Sequence, residues 1–305
     1  MKFVVTGGAG FIGSNIVDYL VEESHEVEVI DNFSSGKKEN CNPKVIYHRI
    51  DLSDEKNFTK IKNIIKNVDG VFHLAAFPRV QESIDNPIKF EKNNTLSTVN
   101  ILKACSEVGV KRLVYSASSS AYGNTVSLPS KETDPVDPIS PYAMQKYYGE
   151  VCCRMFSQVY NVETVSLRYF NVYGERQSLD GAYALVMCVF AKQRLNNLPL
   201  TVRGDGNQRR DFTHVKDIAR ANLLAMISKK VGQGEVINIG NNDNRSVNEI
   251  AQMIGGETVN VDPVVEPRET LADNTKAKIL LGWKPTIEIE DWIPRYKKQL
   301  GIKDE

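Results

Sequence analysis

The chain has 305 residues, and its 38 lysines and arginines balance 38 aspartates and glutamates, so it lacks the basic excess typical of nucleic-acid-binding proteins. Its five cysteines contain no C-x-x-C pair and its four histidines lack metal-ligand spacing, which argues for reduced thiols and against a disulfide framework or a zinc site. No apolar stretch approaches the ~18 residues of a membrane span and no leader precedes the first predicted strand, so we expect a cytoplasmic protein with no nucleic-acid partner, membrane contact or metal.

Short apolar and β-branched runs recur between Phe3 and Phe170, and several of them are separated by segments with helical periodicity. These runs predict strands at 3–6, 27–31, 45–50, 70–74, 112–116 and 164–168. Alternation of strands and helices is typical of the α/β class, here a doubly wound parallel sheet (Rossmann fold) with helices on both faces.

The pattern loosens after Phe170. It predicts a short strand at 200–203, a helix at about 215–229, a strand at 235–240 and another near 258–261. We therefore predict two interleaved domains. Residues 1–170, with about 211–240 returning to the sheet, form a dinucleotide-binding Rossmann domain, and residues 171–210 and 241–305 form a smaller α/β substrate-binding domain.

A glycine-rich segment joins the first predicted strand to the first helix. Gly7, Gly10 and Gly13 follow the strand at three-residue intervals, a G-x-x-G-x-x-G spacing rather than the standard G-x-G-x-x-G fingerprint. A strand that enters a helix through glycines lets the backbone approach a pyrophosphate, whose charge is stabilised at the helix N-terminus. With Phe11 and Ile12, these residues are predicted to bind a dinucleotide; the alternative is a glycine-rich turn without a ligand.

Asp31 ends the second predicted strand. That strand follows the glycine-rich segment and the first predicted helix. A carboxylate at this place suits the 2′- and 3′-hydroxyls of an adenosine ribose and repels a 2′-phosphate, which favours NAD over NADP. An ordinary acidic loop start is the alternative.

Further cofactor contacts are expected from residues that follow strands or open a helix. They are Asn32, Ser34, Ser35, Gly36, Asp51, Leu52, Leu74, Ala75, Ala76 and Asn93. For Asn93 and its neighbour Asn94, helix capping is an alternative explanation.

Tyr142 and Lys146 are one helical turn apart, so a phenol and an ammonium share one helix face. A free phenol has a pKa of about 10, so it acts as a base at neutral pH only if that pKa is lowered to about 7. Lys146 and the positive nicotinamide of an oxidised cofactor can supply that shift in a dry pocket. The alternative is a buried tyrosine beside a lysine whose charge reaches solvent.

Seven segments in order carry a resemblance to a known family. They are residues 6–13, 31–32, 73–76, 116–123, 142–146, 167–171 and 204–212. Together they resemble the extended short-chain dehydrogenases/reductases of the NAD-dependent epimerase/dehydratase family, most closely UDP-glucose and UDP-N-acetylglucosamine 4-epimerases. The resemblance covers almost the whole chain and implies bound NAD, a UDP-sugar substrate and a homodimer formed by the helices at about 93–108 and 142–159.

The resemblance also assigns roles to single residues. Ser118, Tyr142 and Lys146 match the catalytic groups, Ser116 and Phe170 match cofactor contacts, and Arg268 resembles a diphosphate-binding arginine in a stretch that is shorter than the family's. Thr270 matches a gate beside the sugar 2-substituent, and its small size implies room for an N-acetyl group. The substrate-binding set is Ser118, Ser119, Ser120, Tyr142, Asn171, Thr201, Arg203, Arg210, Arg268 and Thr270; Arg209, next to Arg210, is expected to be solvated.

Other functions remain open from the sequence. UDP-glucuronate 4-epimerisation, 4,6-dehydration, one-way reduction and non-catalytic nucleotide binding all occur or are conceivable on this fold. The serine run 118–120 lacks the Asp-Glu pair of dehydratases, Asp31 disfavours NADPH, and Tyr142 and Lys146 are both present. We therefore predict NAD-dependent 4-epimerisation of a UDP-hexose through a transient 4-keto sugar, with the glucose/galactose pair and the N-acetylated pair as substrates.

Overall fold

The centre of the molecule is a parallel sheet. The computed structural model describes residues 1–124, 127–179, 185–263 and 267–303. In chain order its strands are β1 (Lys2–Thr6), β2 (Glu26–Asp31), β3 (Ile46–Arg49), β4 (Gly70–His73), β5 (Arg112–Ser118), β6 (Glu163–Tyr169), β7 (Val172–Tyr173), β8 (Leu200–Arg203), β9 (Arg209–Asp211), β10 (Thr213–His214), β11 (Gln233–Ile239), β12 (Asn244–Ser246) and β13 (Thr258–Val261).

Seven of these strands form the main sheet, in the order β11-β6-β5-β4-β1-β2-β3. Every neighbouring pair in it is parallel. The strand order reverses between β1 and β4, and in open α/β sheets ligands bind at such a switch point, beyond the carboxyl ends of the strands. The predicted doubly wound α/β fold is confirmed.

Helices cover both faces of this sheet. The α-helices are α1 (Phe11–Glu22), α2 (Phe58–Ile65), α3 (Val80–Asp85), α4 (Pro87–Phe90), α5 (Ser97–Val108), α6 (Pro141–Tyr160), α7 (Val186–Leu195), α8 (Val215–Ile227), α9 (Val247–Ile254), α10 (Thr275–Leu281) and α11 (Ile289–Leu300). Within the described residues, none of them has the length and apolar character to cross a bilayer.

Alternate residues of β1 point to opposite faces, as the strand period of two requires. Phe3 and Val5 pack with side chains of α1, α8 and α10, whereas Val4 packs with side chains of α2, α5 and α6. Both faces are therefore buried, which explains why the strands read as continuous apolar runs.

A third apolar core lies outside these two layers. It is formed by side chains of α7, β8, α9 and α11, among them Phe190, Leu200, Ile254 and Trp292. Three two-stranded pairs accompany it: β7 with β10 and β8 with β13 are parallel, and β9 with β12 is antiparallel. The exact domain boundaries stay a prediction, and α10 packs in the core of the sheet although it falls in the segment 241–305.

Candidate active site

The glycine loop (residues 7–13) lies at the switch point, against the end of β4. Gly7 has a φ of +72°, and a Cβ there would lie 2.7 Å from the backbone nitrogen of Ala75. A Cβ on Gly13 would lie 2.1 Å from the Gly7 oxygen. Gly10 begins α1 without a side-chain cap, so no side chain satisfies the N–H groups of the first turn. This backbone surface, with Phe11 and Ile12 in that first turn, fits a pyrophosphate.

Asp31 is buried at the end of β2 and faces the same loop. Its carboxylate accepts hydrogen bonds from the backbone N–H groups of Ala9 (2.9 Å) and Phe33 (2.7 Å). Gly36 packs against it, since a Cβ on that residue would lie 3.0 Å from Asp31 Oδ1. Each carboxylate oxygen can accept a second hydrogen bond, so the fixed group fits the hydroxyls of a ribose.

The residues that follow β2 and β3 shape the neighbouring loops. Asn32 Oδ1 accepts from the Ser34 N–H at 2.9 Å, in the turn that leads to Ser35. Asp51 Oδ1 accepts from the Ser53 N–H and hydroxyl, and Leu52 is buried. Their predicted contacts with an adenosine remain predictions.

The end of β4 is joined to β1 through Thr6. The hydroxyl oxygen of Thr6 accepts from the N–H groups of Leu74 and Ala75, both at 3.2 Å. These two residues, and Ala76 after them, therefore continue the backbone surface beside Gly7.

His73 is a buried residue that sequence reasoning left without a role. The Thr98 hydroxyl donates its hydrogen to the Asn94 carbonyl at 2.6 Å. Towards His73 Nε2, 3.0 Å away, Thr98 can therefore only accept, so Nε2 carries the ring hydrogen. The other ring nitrogen, Nδ1, accepts from the Thr6 hydroxyl at 2.7 Å. Burial, and to a smaller extent Lys146, lowers the pKa of His73 to about 3. The ring is therefore neutral and fixed in one tautomer.

Asn93 and Asn94 lie in a π-helical turn between α4 and α5. The capping alternative is wrong, because helical residues continue on both sides of that turn. The Asn93 side chain donates to a backbone carbonyl one turn earlier. The buried Asn94 side chain accepts from the Phe77 N–H and donates to Gln145 Oε1 at 3.0 Å, so it joins the loop after β4 to α6.

Tyr142 and Lys146 lie at the start of α6, where Ser140 accepts from the Ala143 N–H as N-cap and Pro141 occupies the first helical position. Lys146 is buried, and its Nζ donates to the Ser116 carbonyl at 2.7 Å. The ammonium also lies 5.0 Å from the centre of the Tyr115 ring.

The side chain of Ser118, at the end of β5, lies close enough to the phenol of Tyr142 to lower its pKa. Its Oγ accepts from the Ser120 N–H (3.2 Å) and from the Ser120 hydroxyl (2.8 Å). Because both of those groups donate to Ser118, its own hydroxyl hydrogen is available to the phenol. The structure thus brings together Ser118, Tyr142 and Lys146, with Ser119 in the next turn; we refer to these three residues, which the sequence predicts to be catalytic, as the catalytic cluster.

The pKa of Tyr142 differs from the sequence interpretation. Burial raises it above the ordinary value, and the hydrogen bond from Ser118 lowers it. The Lys146 ammonium makes its direct contacts with the Ser116 carbonyl and the Tyr115 ring rather than with the phenol. Burial also lowers the pKa of Lys146 itself to about 8.

Asn171 and Thr270 meet on the far side of the site. The Asn171 side chain donates to the Asp211 carbonyl (2.8 Å) and to the Thr270 hydroxyl (3.3 Å). Thr270 also accepts from the Asp211 N–H. Phe170, one residue earlier, is buried against Tyr122, with ring centres 6.2 Å apart.

Asp211 is a buried carboxylate that the sequence did not reveal as part of the site. It accepts from the N–H groups of Asn241 (2.7 Å), Asn242 (3.0 Å) and Ala272 (2.9 Å). Burial raises the pKa of Asp211 to about 7, against the lowering effect of these donors. It therefore holds two loops around Thr270.

The arginines have distinct partners. Arg268 forms a bidentate pair with Asp205 at 2.9 and 2.8 Å, and both side chains are exposed. Arg209 is half-buried: as expected it is in contact with solvent, but it also donates to Asn244 and pairs with Glu249 at 2.9 Å. Arg210 donates to the Arg209 carbonyl at 2.9 Å.

Thr201 and Arg203 lie on β8, facing away from the third core. Thr201 accepts from and donates to the side-chain amide of Gln193 on α7, at 2.7 and 3.1 Å. Arg203 is exposed. Their place in a uracil pocket remains a prediction, as do the other ligand contacts.

Comparison with known proteins adds an independent observation. The model of the NAD dependent epimerase/dehydratase family matches residues 3–240. A structure of UDP-glucose 4-epimerase with UDP-glucose from Thermotoga maritima is 36% identical, with a TM-score of 0.91 over 98% of this chain and 100% of that one. A UDP-N-acetylglucosamine 4-epimerase from Methanobrevibacter ruminantium in complex with UDP-N-acetylmuramic acid is 34% identical (TM-score 0.90, 98% of both chains). The UDP-glucose 4-epimerase of Thermus thermophilus in complex with NAD is 32% identical (TM-score 0.89, 99% of both).

Proposed function

Because the chain belongs to the NAD dependent epimerase/dehydratase family, we propose that it catalyses NAD-dependent 4-epimerisation of UDP-hexoses. The observation that carries this proposal is the catalytic cluster, in which Ser118 acts on the Tyr142 phenol and Lys146 is buried one helical turn along α6. The cluster lies at the carboxyl ends of the central strands, next to the glycine loop. The Thermotoga maritima and Thermus thermophilus relatives, which are similar along their whole length, carry the 4-epimerase name.

The glycine loop and Asp31 fit NAD. Side chains at positions 7 and 13 would fill the surface that a pyrophosphate needs, and Asp31 presents a carboxylate suited to an unphosphorylated ribose. When bound, NAD⁺ supplies the acceptor for the C4 hydride and its reduced form returns that hydride. The protein's part is to hold the cofactor through the reaction, so that it is regenerated in each turnover.

Tyr142 is the proton acceptor in this proposal. As the phenolate, it takes the proton of the sugar 4-hydroxyl and becomes the neutral phenol, and the hydrogen bond from Ser118 stabilises the phenolate before that transfer. Lys146 adds a positive charge near the reacting groups in a site of low effective dielectric. The 4-keto sugar turns about its diphosphate, and Tyr142 returns the proton when the opposite face has been reduced.

The substrate side consists of Asn171, Thr270 and the nearby arginines. Asn171 and Thr270 are hydrogen-bonded to each other, so both line one side of the sugar site. Arg268 and Arg210 are assigned to the diphosphate, for which a guanidinium fork is well suited. Asp205 pairs with Arg268 and has to release it for that contact.

The size of Thr270 sets the width of the sugar site. A threonine leaves room beside the sugar 2-substituent, so we assign both the plain and the N-acetylated hexoses as substrates. The 34% identical Methanobrevibacter ruminantium relative, which is a UDP-N-acetylglucosamine 4-epimerase, supports this wider range.

We also propose a homodimer in the cytoplasm. Exposed apolar side chains at helical spacing follow α6: Met144, Tyr148, Val151, Met155 and Val159. Met144 and Tyr148 also line an open groove of about 770 Å³ between α4, α5 and α6. Ile88, on the α4 side of this groove, is 85% exposed. The free cysteines are consistent with a reducing compartment.

The test is a turnover assay with UDP-galactose, UDP-N-acetylgalactosamine and UDP-glucuronate, with Tyr142→Phe as the inactive control. We expect conversion of the first two substrates to their C4 epimers, with no net change in NADH. Conversion of UDP-glucuronate alone would show that the chain is a UDP-glucuronate 4-epimerase instead. If none of the three substrates is converted, the proposal is overturned.

A further inference from the structure

A buried ion pair lies one helical turn beyond Lys146. Glu150 on α6 and Arg168 on β6 are each 3% exposed. Two hydrogen bonds join them, from Arg168 Nε to Glu150 Oε1 (2.8 Å) and from Nη2 to Oε2 (2.7 Å). Because removing two charges from water opposes their attraction, such a pair is weak evidence for stability and calls for another role.

The pair lies on the same face of α6 as the catalytic residues. Tyr142, Lys146 and Glu150 are spaced by four residues, which places them in one row along the helix. On the sheet, Arg168 is in register with Ala117, one residue after the Ser116 carbonyl that binds Lys146. Glu150 therefore lies one helical turn from Lys146 on the same face of α6, although Lys146 makes its direct contacts with neutral groups.

Arg168 is itself fixed from the other side. Its guanidinium lies 4.5 Å from the centre of the Tyr122 ring. The Tyr122 hydroxyl donates to Asn238 Oδ1 at 2.8 Å, so the ring is held by β11. Arg168 thus presents a rigid bidentate partner to the carboxylate.

The other titratable groups around Lys146 do not supply negative charge at neutral pH. The groups that face it are Tyr142, Glu150 and Cys153 on α6, Tyr115 on β5, His73 on β4 and, through Glu150, Arg168 on β6. Burial raises the pKa of Cys153, Tyr115 and Tyr142, which keeps them protonated, and His73 is neutral. Burial lowers the pKa of Lys146 to about 8, and Cys153 and Glu150 oppose that effect. Burial also raises the pKa of the Glu150 carboxyl, and the two hydrogen bonds from Arg168 act against that rise.

We propose that Glu150 and Arg168 form a positioning unit for Lys146, in which the carboxylate keeps the ammonium charged in its dry site and the guanidinium holds the carboxylate in place. Its kinetic consequence rests on the proposed function. The charge of Lys146 can be measured without turnover, so the two proposals can fail separately.

The first experiment is a titration of Lys146 in Glu150→Gln. The ¹³Cε resonance of Lys146, in protein labelled with [¹³C]lysine and assigned with Lys146→Met, reports the pKa directly. Loss of a nearby carboxylate should lower it by about one unit or more. A fall from about 8 to about 7 reduces the charged fraction at pH 8 from roughly one half to roughly one tenth, so kcat at that pH should fall about fivefold. The alkaline limb of the kcat–pH profile should move to lower pH by the same amount. Glu150→Asp, which keeps the carboxylate, should restore the wild-type position of that limb.

A second variant covers the case in which Glu150→Gln does not fold, since it leaves a buried guanidinium without its partner. The double variant Glu150→Met/Arg168→Met removes both charges and should lower the pKa of Lys146 in the same direction. Glu163→Gln is the matched control: Arg112 and Glu163 pair at 2.8 Å on the same two strands, roughly 16 Å from Arg168. Cys153→Ala is a second control.

An unchanged Lys146 pKa in a folded Glu150 variant would overturn the inference, and so would an equal shift in Glu163→Gln. A downward shift in Cys153→Ala as large as that in Glu150→Gln would assign the effect to the thiol. If the wild-type protein converts no UDP-sugar, the proposed function fails while the titration still decides the role of Glu150.

Discussion

Ser118→Ala tests whether Ser118 lowers the pKa of Tyr142. The substitution removes the hydrogen bond to the phenol and leaves the Ser120 N–H and hydroxyl without their acceptor. A hydrogen bond to a charged group contributes about 1.5–3 kcal/mol, and one pKa unit corresponds to about 1.4 kcal/mol, so the pKa of Tyr142 should rise by about one to two units. Since less phenolate is then available at neutral pH, kcat should fall roughly 10- to 100-fold.

The assay follows conversion of UDP-galactose to UDP-glucose by chromatography between pH 6 and pH 11, a range that extends towards the raised pKa of Tyr142. The rising limb of kcat should move to higher pH, because removal of a hydrogen bond that favours the charged phenolate raises the pKa. Phenolate absorbance, taken as the difference between each protein and its Tyr142→Phe partner, should move in the same direction. Loss of the Ser120 contacts should cost about 1 kcal/mol of unfolding free energy.

Ser106→Ala is a suitable control, since it removes a hydroxyl on α5 that bonds only to its own helix. If Ser118→Ala lowers kcat equally at every pH and leaves the phenolate titration unchanged, Ser118 acts on the substrate alone, and its proposed effect on Tyr142 is refuted.

The proton acceptor, the cofactor site, the sugar site and the dimer face can each be tested separately. Tyr142→Phe should keep the thermal unfolding temperature and NAD binding but reduce turnover by about 10²-fold or more, and near-normal turnover would contradict the mechanism. Asp31 should make NAD bind far more tightly than NADP, because like charges about 4 Å apart cost about 4 kcal/mol at an effective dielectric of 20; equal affinities by calorimetry would refute that assignment. Thr270→Tyr should lower kcat/KM for UDP-N-acetylgalactosamine relative to UDP-galactose, and an unchanged ratio would exclude Thr270 as the gate. Val159→Lys should convert a dimer to a monomer by light scattering, whereas Ile279→Lys, an equally exposed apolar position on α10, should not.

The central strands could be predicted because each is buried on both faces and therefore reads as an apolar run. All six strands predicted before Phe170 are present, with ends that differ by at most two residues. β9 and β12 could not be predicted, because they are three residues long, carry polar side chains and are stabilised by pairing with each other.

Within the catalytic cluster, Tyr142 and Lys146 followed from local spacing and Ser118 from the family resemblance, but the supporting residues followed from neither. Asn94 reaches Gln145 across 51 positions, and Arg268 reaches Asp205 across 63. The charge on Lys146 was expected to act directly on Tyr142, yet the ammonium points to Ser116. Such partners depend on which strand ends are adjacent, which the sequence pattern does not specify at side-chain resolution.

The position of β11 in the sheet has a consequence for synthesis of the chain. β11 pairs with β6, but the whole segment 170–232 lies between them in the sequence. Until a nascent chain has passed Ile239, β6 presents the unpaired backbone edge of an otherwise complete sheet, with Val165 and Leu167 on its apolar face. Open edges of this kind pair readily with other chains. Polypeptides that end in this interval should therefore aggregate on release, and the cell gains a folded monomer only when more than two thirds of the protein has left the ribosome.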